Sequence, residues 1–128
     1  MKILFGFKDV LSLDPWLDYF ESLGYEVDGA MSGEDVLGTA LKFKPNALVL
    51  EYQLSGEVDS LAVFYSLIAK PEFCKLNLIL IVNLSESETK KLNNKFVQSS
   101  GILAVIPSGK LNFEVVEESL KILKERLE

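Results

Sequence analysis

Histidine is absent from this sequence, and cysteine occurs once. The first absence removes Ser-His and Cys-His catalysis, histidine metal ligands and any phosphohistidine relay within the chain. The second removes an intrachain disulfide. Cys74 stands in the polar connector KPEFCKLN and reads as a small half-buried residue rather than a nucleophile. Basic charge is also short: 13 Lys and Arg face 19 Asp and Glu, for a net charge of −6. Binding a phosphate backbone needs a basic stripe, so nucleic acid is not an expected partner. The lysines at 42, 44, 90, 91 and 95 alternate with acids on helix-like segments, the pattern of a solvated surface. No apolar run reaches the ~18 residues of a membrane span, so a membrane is not an expected partner either. The opening MKILFGF has one basic residue and no small-residue cleavage site behind it. It reads as a first strand rather than a signal peptide, and the expected location is the cytoplasm.

What is present suits a single buried core. Of 128 residues, 48% are hydrophobic and eight are Phe, which fits one domain over residues 1–128. Residues 2–7, 47–52, 76–82 and 102–106 are short runs of Val, Ile, Leu and Phe, as in strands covered on both faces. Residues 25–30, YEVDGA, alternate in polarity and suit a sheet edge.

Helical patterns separate these strands. Asp14 before Pro15 reads as an N-cap followed by proline at the first helical position, with Trp16 or Leu17, Phe20 and Leu23 inward and Gly24 closing the helix. Residues 32–35, SGED, form a capping box that opens a helix with Val36, Leu37, Ala40 and Leu41 inward, and Pro45 bars its continuation. Leu61, Phe64, Leu67 and Ile68 mark a third helix. A second capping box at 85–88 opens a fourth, thin in apolar residues beyond Leu92, Phe96 and Val97. Phe113, Val116, Leu120, Leu123 and Leu127 recur at helical spacing in the fifth.

Strand and helix therefore alternate five times. Short right-handed crossovers make this an α/β fold, a doubly wound five-stranded parallel sheet in the flavodoxin-type order 2-1-3-4-5 with five helices. Ligands of such sheets bind beyond the carboxyl ends of the strands, at the switch point between the first and third strands. Phe7, Lys8 and Asp9 end the first strand and Glu51 ends the third. Val82 and Asn83 end the fourth. Pro107, Ser108 and Lys110 follow the fifth. A charged group at the lip of a core strand is costly unless paired, which singles out Glu51. The loop-like SGE at 55–57 and PSGK at 107–110 lack phosphate-loop spacing and read as connectors.

From KILFG through LGYEV and PNALVLE to LSG, the sequence resembles the receiver domain of bacterial response regulators, the CheY-like family, over its whole length. The resemblance implies an acidic pair after the first strand that holds Mg²⁺ with a phospho-accepting Asp after the third. It also implies a hydroxyl after the fourth strand, and a switch aromatic and a lysine at the fifth. In register, the acidic pair falls on Phe7 and Lys8, with Asp9 just beyond. The acceptor falls on Glu51, the hydroxyl on Val82, the aromatic on Val105, and the lysine on Ser108 or Gly109, or on Ile106 if Pro107 matches the family proline. Each position departs from the family. Phe7 and Lys8 offer a hard cation neither oxygen nor negative charge. Glu51 is a methylene too long for in-line phosphoryl transfer.

The resemblance thus implies a degenerate pseudo-receiver: no enzyme, no cofactor, no metal, and phosphorylation-independent binding of proteins in two-component signal transduction. The partner would be another protein, other domains of a longer chain, or a second copy in a homodimer. Val115 and Ile122, apolar residues off the inward stripe of the last helix, mark the expected partner face together with the fourth helix and fifth strand. Two alternatives remain: an atypical receiver still phosphorylated on a carboxylate, and a flavodoxin-fold binder of a small ligand. For Glu51 three roles compete: an ion pair with the Lys8 ammonium, a fixed mimic of a phosphorylated acceptor, and an incidental charge at a strand end.

Overall fold

The computed structural model describes residues 1–56, 58–83, 87, 90, 91 and 101–127, the last two of these in their backbone only. Five parallel strands, β1 (Lys2–Gly6), β2 (Glu26–Ala30), β3 (Ala47–Glu51), β4 (Asn77–Val82) and β5 (Ile102–Pro107), form one sheet in the order β2-β1-β3-β4-β5. The order is the one expected from the sequence, and so is the placement of the alternating segment, β2, at an edge. Pro107 closes the other edge strand, where a residue without an N–H costs no ladder bond.

The described helices are α1 (Val10–Ser22), α2 (Gly33–Phe43), α3 (Ser60–Ile68) and the last helix (Phe113–Leu127). Ser87, Lys90 and Lys91 are also helical, but Leu92, Phe96 and Val97 of the expected fourth helix lie outside the described residues.

The apolar strand runs hide an alternation between two layers. Leu4, Leu48, Leu50, Leu78, Leu80 and Val82 pack with α2 and α3. Ile3, Phe5, Phe7, Ala47, Val49, Ile79 and Ile81 pack with α1 and the last helix. Successive strand side chains point to opposite faces, so each run feeds both layers.

Three helix expectations need correction. The N-cap of α1 is Asp9, not Asp14, and the helix starts at Val10. The Asp9 carboxylate takes the Leu11 N–H at 3.0 Å, as a carboxylate just past a strand end can do. Pro15 consequently lies inside the helix and leaves the Leu11 carbonyl without its intrahelical donor. That carbonyl belongs to an exposed first turn, where water can take it. Leu23 is not on the core face but is the C-cap, 45% exposed, before Gly24 at φ +94°. Leu41 is 46% exposed, beside the buried face formed by Gly33, Val36 and Ala40.

Of the other caps, Ser32 is the one expected from the sequence, and Asp59 is added by the structure. Ser32 accepts the Asp35 N–H at 3.1 Å, and Asp59 accepts the Ala62 N–H at 2.8 Å. Gly33, the first residue of α2, is required by packing: a Cβ there would collide with the Val58 carbonyl in the loop after β3. The same loop is tied by the Ser55 N–H to the Met31 carbonyl at 3.1 Å, and so stays against the start of α2.

Candidate functional site

The switch point lies where β1 and β3 end side by side, in the register Gly6 with Leu50. Glu51 is the last residue of β3 and is half-buried. Its Oε1 accepts a hydrogen bond from the backbone N–H of Lys8 at 2.7 Å. The expected ion pair with the Lys8 ammonium is therefore replaced by a main-chain bond. The reason is reach. The turn after β1 brings its peptide N–H to the carboxylate, while the Lys8 residue itself is exposed to water. A charge-assisted bond of this kind is short and strong for its class.

The main chain at the end of β3 is held from the other side. The Glu51 carbonyl accepts the Ser60 hydroxyl. Ser60 is fully buried at the start of α3, the one polar side chain among the buried described residues. The same peptide is held through its N–H, which Tyr52 donates to the Ile81 carbonyl at 2.7 Å, and the next peptide through the Tyr52 carbonyl, which accepts the Ser60 N–H at 3.4 Å.

The remaining expected site residues go elsewhere. Phe7 is 2% exposed and stacks on Trp16 with ring centroids 5.5 Å apart. Asp9 is occupied as the α1 cap. Val82 and Val105 are buried together in the α2/α3 layer, on the face opposite Phe7. Ile81, not Val82, is the register partner of Glu51. Ile106 is buried in the α1 layer. Ser108 donates its hydroxyl to the Asn83 side-chain oxygen at 3.3 Å, joining the ends of β4 and β5. Val115 packs partly buried against the core, while Ile122 is 52% exposed.

The receiver resemblance implies a divalent cation, and this donor set does not fit one. One acidic-pair position is an aromatic in the core and the other a lysine. Asp9 and Glu51 each spend a carboxylate oxygen on a backbone N–H. Among the described residues no cluster of three or more His, Cys, Asp or Glu is arranged to hold a metal. An open groove of about 480 Å³ lies between β2 and α2, lined in part by Asp28, Glu34, Asp35, Thr39, Lys42 and Phe43, and no switch-point residue lines it.

Sequence reasoning missed three features here. Ser60 could have been found as the serine that opens SLAVFYSLI, in register with the inward Phe64 and Leu67. The Phe7–Trp16 stack and the Asn83–Ser108 bond had no local signal, since each joins residues from separate elements.

No family model matches the chain, and no curated protein matches it. Solved structures do. The receiver domain of the Francisella response regulator 1452 superposes with a TM-score of 0.78 at 18% identity, covering 99% of this chain and 98% of that one. The BeF3-activated N-terminal receiver domain of Klebsiella pneumoniae RstA gives 0.74 at 17% identity, covering 95% and 97%. NtrX from Brucella abortus gives 0.75 at 20% identity, covering 98% of this chain and 29% of that much longer one. The fold is the receiver-domain fold. No described helix is long and apolar enough to cross a membrane.

Proposed function

We propose that this chain is a receiver-fold signalling module that binds protein partners without accepting a phosphoryl group and without acting as an enzyme. The observation that supports this most is the engagement of Glu51. Its carboxylate is tied to the Lys8 N–H, between a buried phenylalanine and a lysine at the positions where the family resemblance implies a metal-binding acidic pair. An acceptor must present a free oxygen in line with the leaving group, beside a cation that neutralises charge. The extra methylene of Glu51 displaces its oxygens from the in-line position, and Phe7 and Lys8 offer a metal cation no oxygen ligand. The partner is another protein or another domain of a longer chain, and the working location is the cytoplasm; the match to 29% of NtrX supports the longer-chain setting. Ile122 is an exposed apolar residue of the expected partner face, which includes the last helix and β5, and Val115 on the same helix is partly buried.

Incubation with Mg²⁺ and acetyl phosphate, followed by intact-mass spectrometry, tests the reading. The expected result is an unchanged mass. A single phosphate adduct mapped to a carboxylate would overturn it in favour of an atypical receiver.

A further inference from the structure

We propose that Glu51, Tyr52 and Ser60 form a relay that couples the start of α1 to the start of α3 across the end of the sheet, with Ser60 as its positioning residue. The inference rests on the module reading above, since a switch end without phosphoryl control is held in place only by its own groups. Three observations carry it. The Glu51 side chain holds the turn that leads into α1, through the Lys8 N–H at 2.7 Å. The Glu51 main-chain carbonyl is held by the hydroxyl of Ser60, the first residue of α3. The N–H of that same peptide, from Tyr52, is bonded to β4, and the carbonyl of the following peptide, also from Tyr52, accepts the Ser60 N–H.

The Glu51 carbonyl and the Tyr52 N–H lie in one peptide plane, the Tyr52 carbonyl lies in the next, and the Glu51 side chain leaves the Cα that borders the first. The direction of the Glu51 Cα–Cβ bond depends on the backbone torsions at 51, and those torsions depend on where its carbonyl is anchored. Ser60 therefore sets the aim of a carboxylate that it does not touch. α1 packs on one face of the sheet and α3 on the other. The relay thus ties the two helical layers at the end where they are joined by no shared side-chain core. Burial of a serine hydroxyl among apolar neighbours is costly unless it is bonded, and this hydroxyl has the Glu51 carbonyl as its acceptor.

Amide NMR on the whole chain tests the relay and needs no partner. In Glu51→Ala the Lys8 amide proton should move upfield and exchange about tenfold faster, as expected for losing a bond to a charged acceptor. In Ser60→Ala the Lys8 amide should shift in the same direction by at least half as much, while core amides such as Leu80 stay in place. Ser60→Thr, which keeps a hydroxyl, should restore the Lys8 position. If Ser60→Ala does not fold, Ser60→Cys is read in the same way. A Lys8 amide that responds to Glu51→Ala but is unmoved by the Ser60 variant would overturn the relay. That outcome leaves the phosphorylation test untouched, and a phosphate adduct there leaves this one readable, so the two readings fail separately.

Discussion

Along β3, Leu48 and Leu50 face α2 and α3, whereas Ala47 and Val49 face α1 and the last helix. The same division runs through β1 and β4. Leucines line one face, and β-branched, aromatic and small residues line the other. The helices answer in kind. On the leucine face, Phe64 and Phe73 are the buried aromatics. On the other, Phe5, Phe7, Trp16, Phe20 and Tyr25 are buried, and Tyr19 and Phe113 stack at their rim with centroids 4.4 Å apart. The aromatic face contains the acidic-pair position of the receiver resemblance, now Phe7. At that position the ring of Phe7 extends the aromatic core toward the lip of the sheet.

The strongest way to break this comparison is to reinstate the acid. Phe7→Asp places a carboxylate against Trp16 at a site with 2% exposure. It should cost about 4 kcal/mol or more, read by urea unfolding, because a buried charge without a partner is added to lost ring packing. A variant of unchanged stability would mean that the Phe7 pocket is open to water.

A smaller effect sharpens the contrast between faces. Phe20 and Phe64 are both fully buried. Phe20 makes ring contacts with Phe5, Trp16, Tyr19 and Tyr25, while Phe64 has Tyr65. Aromatic pairs add to area burial, so Phe20→Leu should destabilise by roughly 1 kcal/mol more than Phe64→Leu. Equal losses in thermal or urea unfolding would show that ring geometry contributes nothing beyond volume.

The smallest effect lies at the rim. The Tyr19 hydroxyl donates to Glu117 at 2.9 Å, and this bond, then burial and the charges of Glu117 and Glu114, raise its pKa above the usual 10.0. The folded state therefore keeps the phenol proton longer than the unfolded chain. The resulting stabilisation is present below the ordinary tyrosine pKa and fades as pH rises from there through the folded value. Absorbance titration should show Tyr19 ionising late, and Glu117→Gln should bring it back toward the ordinary range. A titration unaffected by that substitution would remove Glu117 as the cause.

Much of this molecule is legible along the chain. Hydrophobic runs of five or six residues, separated by helical periods and caps, specify strands and helices through local geometry. That reading also supplies the order of elements and, with the handedness of crossovers, the strand order. Ser32 is visible as a cap because the residues it serves lie within four positions of it. Asp9 was misread for a related reason. Two acids, Asp9 and Asp14, both precede plausible helix starts, and the choice between them depends on where β1 lets the chain go.

The site divides along the same line. The identities of Phe7, Lys8, Glu51 and Val82 stand in the sequence, and they support the proposal of a site without metal chemistry, because Phe7 and Lys8 bring no ligand oxygen. The partner of Glu51 was not encoded in that way. Its distance to the Lys8 ammonium and to the Lys8 N–H is set by a turn that packs 43 residues away in sequence. Only the folded chain decides which donor arrives first. Composition fixes what a group is able to bind. Tertiary structure fixes what it does bind, because hydrogen bonds discriminate over tenths of an ångström and only the folded chain sets distances that finely.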